Sequence, residues 1–523
     1  MSETAVAGGG CYKWLVLLNV MLTTFMAVLD STVVNTGLPV IMGTLGASMN
    51  SAEWILTGYM LSMATILPAA GWLSDRFGYK RIFVFSLVVF TVGSFMCGNS
   101  TAIGELVFWR IFQGIGGGLL MPVGMAVVTT VFPVGMAVVT TVFPVEQRGM
   151  ALGFWAIASA ASVSFGPLIG GYLVDNLNWN YIFFVNIPIG IFSIIYTLIV
   201  QREYKTGVSK KFDIPGFITS AIFLPVFLYG LSEVTSSTNT KGWSSPLVLG
   251  CMWVAVVSFV LFLYTELTVK NPMINLKIFK DHNFSLANLI VFIFGIGMFG
   301  STFLIPLYMQ DSLGYSAYQT GLFFLPVGFL QAVASPMAGN MTRWVNPKIV
   351  IMTGLILLCS SFYMNYSFSF LTDKWYIMVS LYLRGVGLGI LYPPLLNVSF
   401  RQIGNRQMAQ ASSVTNIVRQ IGGSFGVAMF SHLLTQRQTY HTERYHEAIA
   451  YTGQTYSNTV DGLARFFASN GGLGHSESVS YAKEYILEHV DMEAYISGIN
   501  DVFYVAFVIT ILAIIPMFFL KTK

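Results

Sequence analysis

Fourteen long apolar runs, joined by short polar connections, set the pattern of this 523-residue chain. They cover residues 14–36, 54–73, 82–98, 103–133, 149–174, 180–200, 214–232, 246–267, 284–310, 317–340, 349–371, 375–397, 408–434 and 499–520. A helix needs roughly 20 apolar residues to cross the hydrocarbon layer. Lipid offers no hydrogen bonds to a backbone, so each run is predicted as a spanning helix. The fold class expected is an all-α integral membrane protein with fourteen transmembrane helices. The first run is too long for a cleavable leader and lacks a basic preface, so it is read as a span. One long polar stretch, 435–498, interrupts the pattern. It reads as a solvated loop carrying a short amphipathic helix at Tyr481–His489.

Composition agrees with that pattern. The chain is 55% hydrophobic and 10% charged, with a mean hydropathy of +0.68, which excludes an ordinary soluble domain. Away from the ends of the runs, the charged side chains inside them are Asp30, Arg110, Arg384 and Arg419. Asp30 is the only acid of the four. A charge at membrane depth costs about 3 kcal/mol or more even on the lenient insertion scale. A carboxylate kept there points to movement of protons or cations. The net charge of +4 calls for no nucleic-acid partner, because its distribution has another explanation. With both termini in the cytoplasm, cytoplasmic segments hold 18 of the 27 Lys and Arg, the opposite segments 6 and the spans 3. That asymmetry follows the positive-inside rule. Cys11, Cys97, Cys251 and Cys359 show no paired spacing and read as small core residues. His441 and His446 lie in the polar stretch without a recurring acid partner, so no metal site is expected.

The chain also repeats itself weakly. Gly114–Pro122 (GIGGGLLMP) matches Gly385–Pro393 (GVGLGILYP) at an offset of 271, and Ser31-Thr32 matches Ser301-Thr302 at 270. Residues 1–212 therefore read as one six-helix bundle and 268–523 as a second, with two additional spans in 213–267. Parallel halves of this kind place a transporter's substrate site at their interface. The acid–base chemistry is not repeated: Asp30 aligns with Gly300 and Arg110 with Leu381. Further on the offset falls to 260, because VGMAVVTTVFP at 123–133 recurs without change at 134–144. Removing one copy restores the spacing, so the second copy reads as a late insertion outside the ancestral repeat. The expectation is that the first copy stays in span 4 and the second is pushed to the cytoplasmic interface.

Several motifs carry chemistry. Gly71, Asp75, Arg76, Gly78, Lys80 and Arg81 form a tight, charged connection between spans 2 and 3, suited to pairing with a neighbouring helix end and releasing it when the bundles rock. Arg110 and Gln113 precede Gly114 and Gly118 in span 4, where missing side chains allow close helix approach. Arg110 and Asp30 lie at similar depth, and an ion pair would reduce both burial penalties. Gly166, Pro167, Gly170 and Gly171 place a proline and small residues within span 5, as a closely packed helix at the boundary between halves would need. Asn35, Gln113, Arg384, Asn416 and Arg419 are candidates for a substrate cavity.

Together, Leu29–Asn35 (LDSTVVN), the Asp75–Arg81 connection, Arg110–Gly118, Gly166–Gly171 and Trp179–Gly190 (WNYIFFVNIPIG) resemble the major facilitator superfamily. Within it they are similar to the fourteen-helix drug:proton antiporters of the EmrB/QacA branch. The likeness covers nearly the whole chain, and the long segment before the last run is most similar to the EmrB side. The resemblance implies export of amphipathic compounds in exchange for protons, with no cofactor. It also implies proton coupling through Asp30 and Arg110, and control of an inner gate by Asp75, Arg76, Lys80 and Arg81. It further implies an inner-membrane location and partnership with a periplasmic adaptor and an outer-membrane channel. A transporter of another solute or lipid on the same fold, and a non-transporting receptor, are the alternatives. An ATP-driven pump is not expected, since the chain has no GxxxxGK[ST] loop.

Overall fold

The computed structural model describes residues 10–67, 69–130, 162, 165–203, 213–234, 239, 241–269, 272, 276–342, 344–401, 403, 408–449, 453–471 and 474–521. Every described regular element is helical. One half comprises α1 (Gly10–Leu45), α2 (Met49–Ile66), α3 (Ala69–Phe77), α4 (Tyr79–Gly98), α5 (Ile103–Thr130), α6 (165–176), α7 (Tyr181–Phe184) and α8 (Asn186–Val200). The extra helices α9 (Ile214–Glu233) and α10 (Pro246–Thr268) follow. The second half comprises α11 (His282–Leu307), α12 (Ala317–Met341), α13 (Pro347–Asn365), α14 (Lys374–Phe400), α15 (Met408–Ala448), α16 (Gln454–Gly471), α17 (His475–Leu512) and α18 (Ile514–Phe519). Among the described residues ten helical segments are long and apolar enough to cross a membrane.

Local chemistry sets the helix ends. Ser48 accepts a hydrogen bond from the Ser51 amide at the start of α2, and Asp213 and Asp281 do the same for Gly216 and Phe284. Ser316 and Gln319 form a reciprocal capping box on α12. Prolines open α10 and α13, where the missing N–H costs nothing. Between α11 and α12 the chain widens into a π turn at Tyr308–Ser312.

One apolar cluster runs through both halves, from Val16 and Leu38 through Phe90 and Ile182 to Phe303, Phe430 and Phe503. Leu61 of α2, Leu228 of α9 and Ala428 of α15 form a separate cluster, so the first extra helix sits against both halves. Among the hydrogen bonds that join the halves are these three sets. Gln310 donates to the Thr36 carbonyl at 2.8 Å, Asp175 accepts from the amides of Ala317 (3.2 Å) and Tyr318 (2.8 Å), and Thr435 donates to Asn50 at 3.4 Å. All three lie on the face of the α1–α2 turn, opposite the α3–α4 turn.

The stretch 435–498 departs from the loop expected there. α15 continues to Ala448, α16 spans Gln454–Gly471, and α17 starts at His475, taking in Tyr481–His489. α16 and α17 share a small core of Val460, Ala464 and Ala482, with Phe467 packed against it. Across the polar face Arg437 and His441 hold Asp501 at 2.6 and 2.8 Å, and His446 meets Asp491 at 3.0 Å. A sparse apolar stripe with local ion pairs is enough to fold a segment whose mean polarity suggests a loop. The second VGMAVVTTVFP copy, Val134–Pro144, lies outside the described residues.

Candidate functional site: a buried acid–base network

Asp30 sits in the middle of α1 and Arg110 two turns into α5, and both side chains are fully buried. Arg110 Nη1 donates to Asp30 Oδ2 at 2.6 Å and to Gln113 Oε1 at 2.7 Å. Gln113 Nε2 returns a bond to Asp30 Oδ1 at 2.9 Å. Asn186, at the start of α8, donates to the same oxygen at 2.8 Å and to Ser94 of α4 at 3.0 Å. Arg110 Nε donates to the Ile55 carbonyl of α2 at 3.2 Å. Its guanidinium lies 4.1 Å from the Tyr59 ring centroid and 5.6 Å from that of Phe183, on ring faces that favour a cation. The network ties α1, α2, α4, α5 and α8 to a single carboxylate. A buried pair of this kind adds little net stability, but removing one partner leaves an uncompensated charge and costs about 3–5 kcal/mol.

Glycines let the helices come close enough for these bonds. A Cβ on Gly116 would stand 2.5 Å from the Phe90 nitrogen of α4, and one on Gly118 2.8 Å from the Met63 carbonyl of α2. A Cβ on Gly114 would overlap Ser62. α6 packs in the same way on two partners. Gly166 and Gly170 face Thr32 and Val33 of α1, whereas Gly171 and Pro167 meet Ala317 and Gly321 of α12 in the other half.

The α3–α4 connection turns at Gly78, whose φ of +103° suits a residue without a side chain. Glu203, just beyond α8, accepts from the Lys80 amide at 3.1 Å and pairs with Arg81 at 3.7 Å. Lys80 Nζ donates to the Leu198 carbonyl at 2.8 Å, near the end of α8, where the helix dipole favours a cation. Arg76 ends α3. The side chain of Asp75 and the surroundings of Gly71 lie outside the described residues, so the pairing expected of Asp75 is not among the contacts seen.

The remaining candidates form no single cluster. Gln113 belongs to the Asp30 network. Asn35 donates to the Ser31 carbonyl of its own helix at 3.3 Å. Arg419 bonds Asn416 at 3.1 Å and lies 5.6 Å from the Tyr392 ring. Arg384 donates to the Met298 carbonyl at 3.0 Å and to Thr302. Sequence reasoning had not singled out Asn186, Ser94, Tyr59 or Glu203.

A buried acid–base pair held among membrane-spanning helices is the arrangement of a secondary transporter. The sequence model of the Major Facilitator Superfamily matches residues 20–427, and the chain belongs to that family. It is a transporter and not an enzyme. The multidrug transporter protein MdtP of Bacillus subtilis is 31% identical over 427 residues, covering 81% of this chain and 76% of MdtP. The multidrug export protein EmrB of Escherichia coli K12 is 27% identical over 490 residues, covering 93% of this chain and 91% of EmrB. Among solved structures, an inward-facing bacterial homologue of the human lysosomal transporter Spinster superposes with a TM-score of 0.61 at 17% identity. That match covers 99% of this chain and 98% of the other. It shows the shared fold.

Proposed function

We propose that this protein is a proton-driven multidrug exporter, exchanging protons for amphipathic compounds across the cytoplasmic membrane. The observation that carries the reading is the Asp30 network: one carboxylate, fully buried among five helices of one half, with its charge held by Arg110. Protonating Asp30 removes the charge that holds Arg110, Gln113 and Asn186, and so alters the packing of five helices at once. A ligand or proton shifts a two-state equilibrium only through such a difference between states. The names of MdtP and EmrB support drugs as the cargo. The 77 aromatic residues and 25 methionines give the chain ample adaptable apolar surface for varied substrates.

In this reading the proton gradient supplies the energy and no cofactor takes part. The chain makes fourteen crossings, as 1–212, 213–267 and 268–523, with both termini and the Gly78 turn in the cytoplasm. The α15–α17 helices then project on the opposite side, where an adaptor leading to an outer-membrane channel is the expected partner. Asp30→Asn should abolish gradient-driven efflux of a fluorescent substrate from everted vesicles while expression and melting stay near wild type. Full efflux by that variant at normal expression would sink the proposal, and an absence of any flux by the wild type would favour a receptor.

A further inference from the structure

The second half holds a buried cation that the Asp30 network does not use. Arg384 of α14 is 3% exposed. Its Nη2 donates to the Met298 carbonyl and to Thr302, while Nε and Nη1 have no hydrogen-bond partner, and no acid pairs with it among the described residues. The internal repeat shows what is different. At the two offsets Arg384 stands where Gln113 stands, Thr302 where Thr32 stands, and Gly300 where Asp30 stands. A Cβ on Gly300 would overlap the Phe430 ring, so this helix has no room for a carboxylate there. One half thus provides its own anion and the other does not.

Arg384 also lines a cavity of about 10 Å³ walled by Phe294, Met298, Leu358, Phe362, Leu388 and Thr510. That is room for a single small species. Water would satisfy the N–H groups but leave the positive charge uncompensated in apolar surroundings, at high cost. A polyatomic oxyanion would need several donors. The walls supply few, since the Thr510 hydroxyl already donates to the Ala506 carbonyl. We propose that Arg384 binds one monoatomic anion of the halide class between α11, α13, α14 and α17, an intrinsic counter-ion standing in for the missing acid.

The test needs no transport and no proton gradient, so its outcome is independent of the exporter reading. The full chain, purified in lipid nanodiscs, is melted in sodium chloride, sodium bromide or sodium gluconate at constant ionic strength. Halide should raise the melting temperature saturably, by about 2–4 °C, with no such rise in gluconate. The halide response should vanish in Arg384→Met. It should also vanish in Thr302→Asp, which keeps the arginine and places a carboxylate beside it. Bromide should give an anomalous-scattering peak beside Arg384 Nε and Nη1 in the wild type, which decides the matter if either variant fails to fold. Equal melting of the wild type in halide and gluconate, an unchanged halide response in Arg384→Met, or no bromide peak in the cavity would overturn the assignment.

Discussion

Asn186 shows how a neutral side chain can govern a charged one. It donates to Asp30 and also to Ser94, so it fixes the carboxylate against α4 as well as α8. Asn186→Leu keeps the approximate volume and removes both bonds. A hydrogen bond to a charged group contributes about 1.5–3 kcal/mol, and losing one should lower stability by that order. It should also reduce drug-driven proton release, because the carboxylate is no longer fixed against α4 and α8. Chemical denaturation and a proton-release assay read the two effects, and a variant matching wild type in both would show that the contact is idle. The sequence made Asp30 and Arg110 visible because a charge in an apolar run carries a large penalty. Asn186 lies inside the WNYIFFVNIPIG motif but carries no such penalty, so polarity alone did not separate it from its neighbours. Glu203 lies in a polar connection, and only folding brings it to Lys80 and Arg81.

Close helix approach makes the network possible, and α5 is its central element. Gly116→Ala would set a methyl 2.5 Å from the Phe90 nitrogen and 2.7 Å from the Ser86 carbonyl, both backbone atoms that cannot rotate away. Overpacking of that kind costs about 1–3 kcal/mol. Gly104 on the same helix has open space around it, so Gly104→Ala should be near neutral or slightly stabilising. Comparing the melting temperatures of the two variants tests the argument, and equal losses would refute it. The apolar runs made most of these elements legible, because each run overlaps a described helix. The stretch 435–498 was not legible as helix. Its pairings are between elements, Arg437 and His441 with Asp501 and His446 with Asp491, and its core rests on a few residues such as Val460 and Ala482. No local window contains both sides of those contacts.

At the scale of the whole molecule, the bonds between halves gather on the face of the α1–α2 turn. In a transporter of two rocking bundles this corresponds to closure on that side. Asp175 is central to it. It lies in the last turn of α6 in one half, yet its two oxygens accept from the first amides of α12 in the other, where the helix dipole favours a negative charge. Asp175→Ala should therefore destabilise the closed arrangement relative to the open one by about 1–3 kcal/mol, with each 1.4 kcal/mol worth roughly tenfold in population. Both bonds link the halves, so folding within each bundle should be little affected. Spin labels at Thr44→Cys and Leu371→Cys, in a background lacking the native cysteines, report the separation of the halves on this face. The variant should show a longer-distance population that the parent lacks, and faster reaction of this face with impermeant thiol reagents. An unchanged distance distribution would mean that the apolar contacts alone, such as Gly171 against Ala317 and Gly321 against Pro167, keep the face shut.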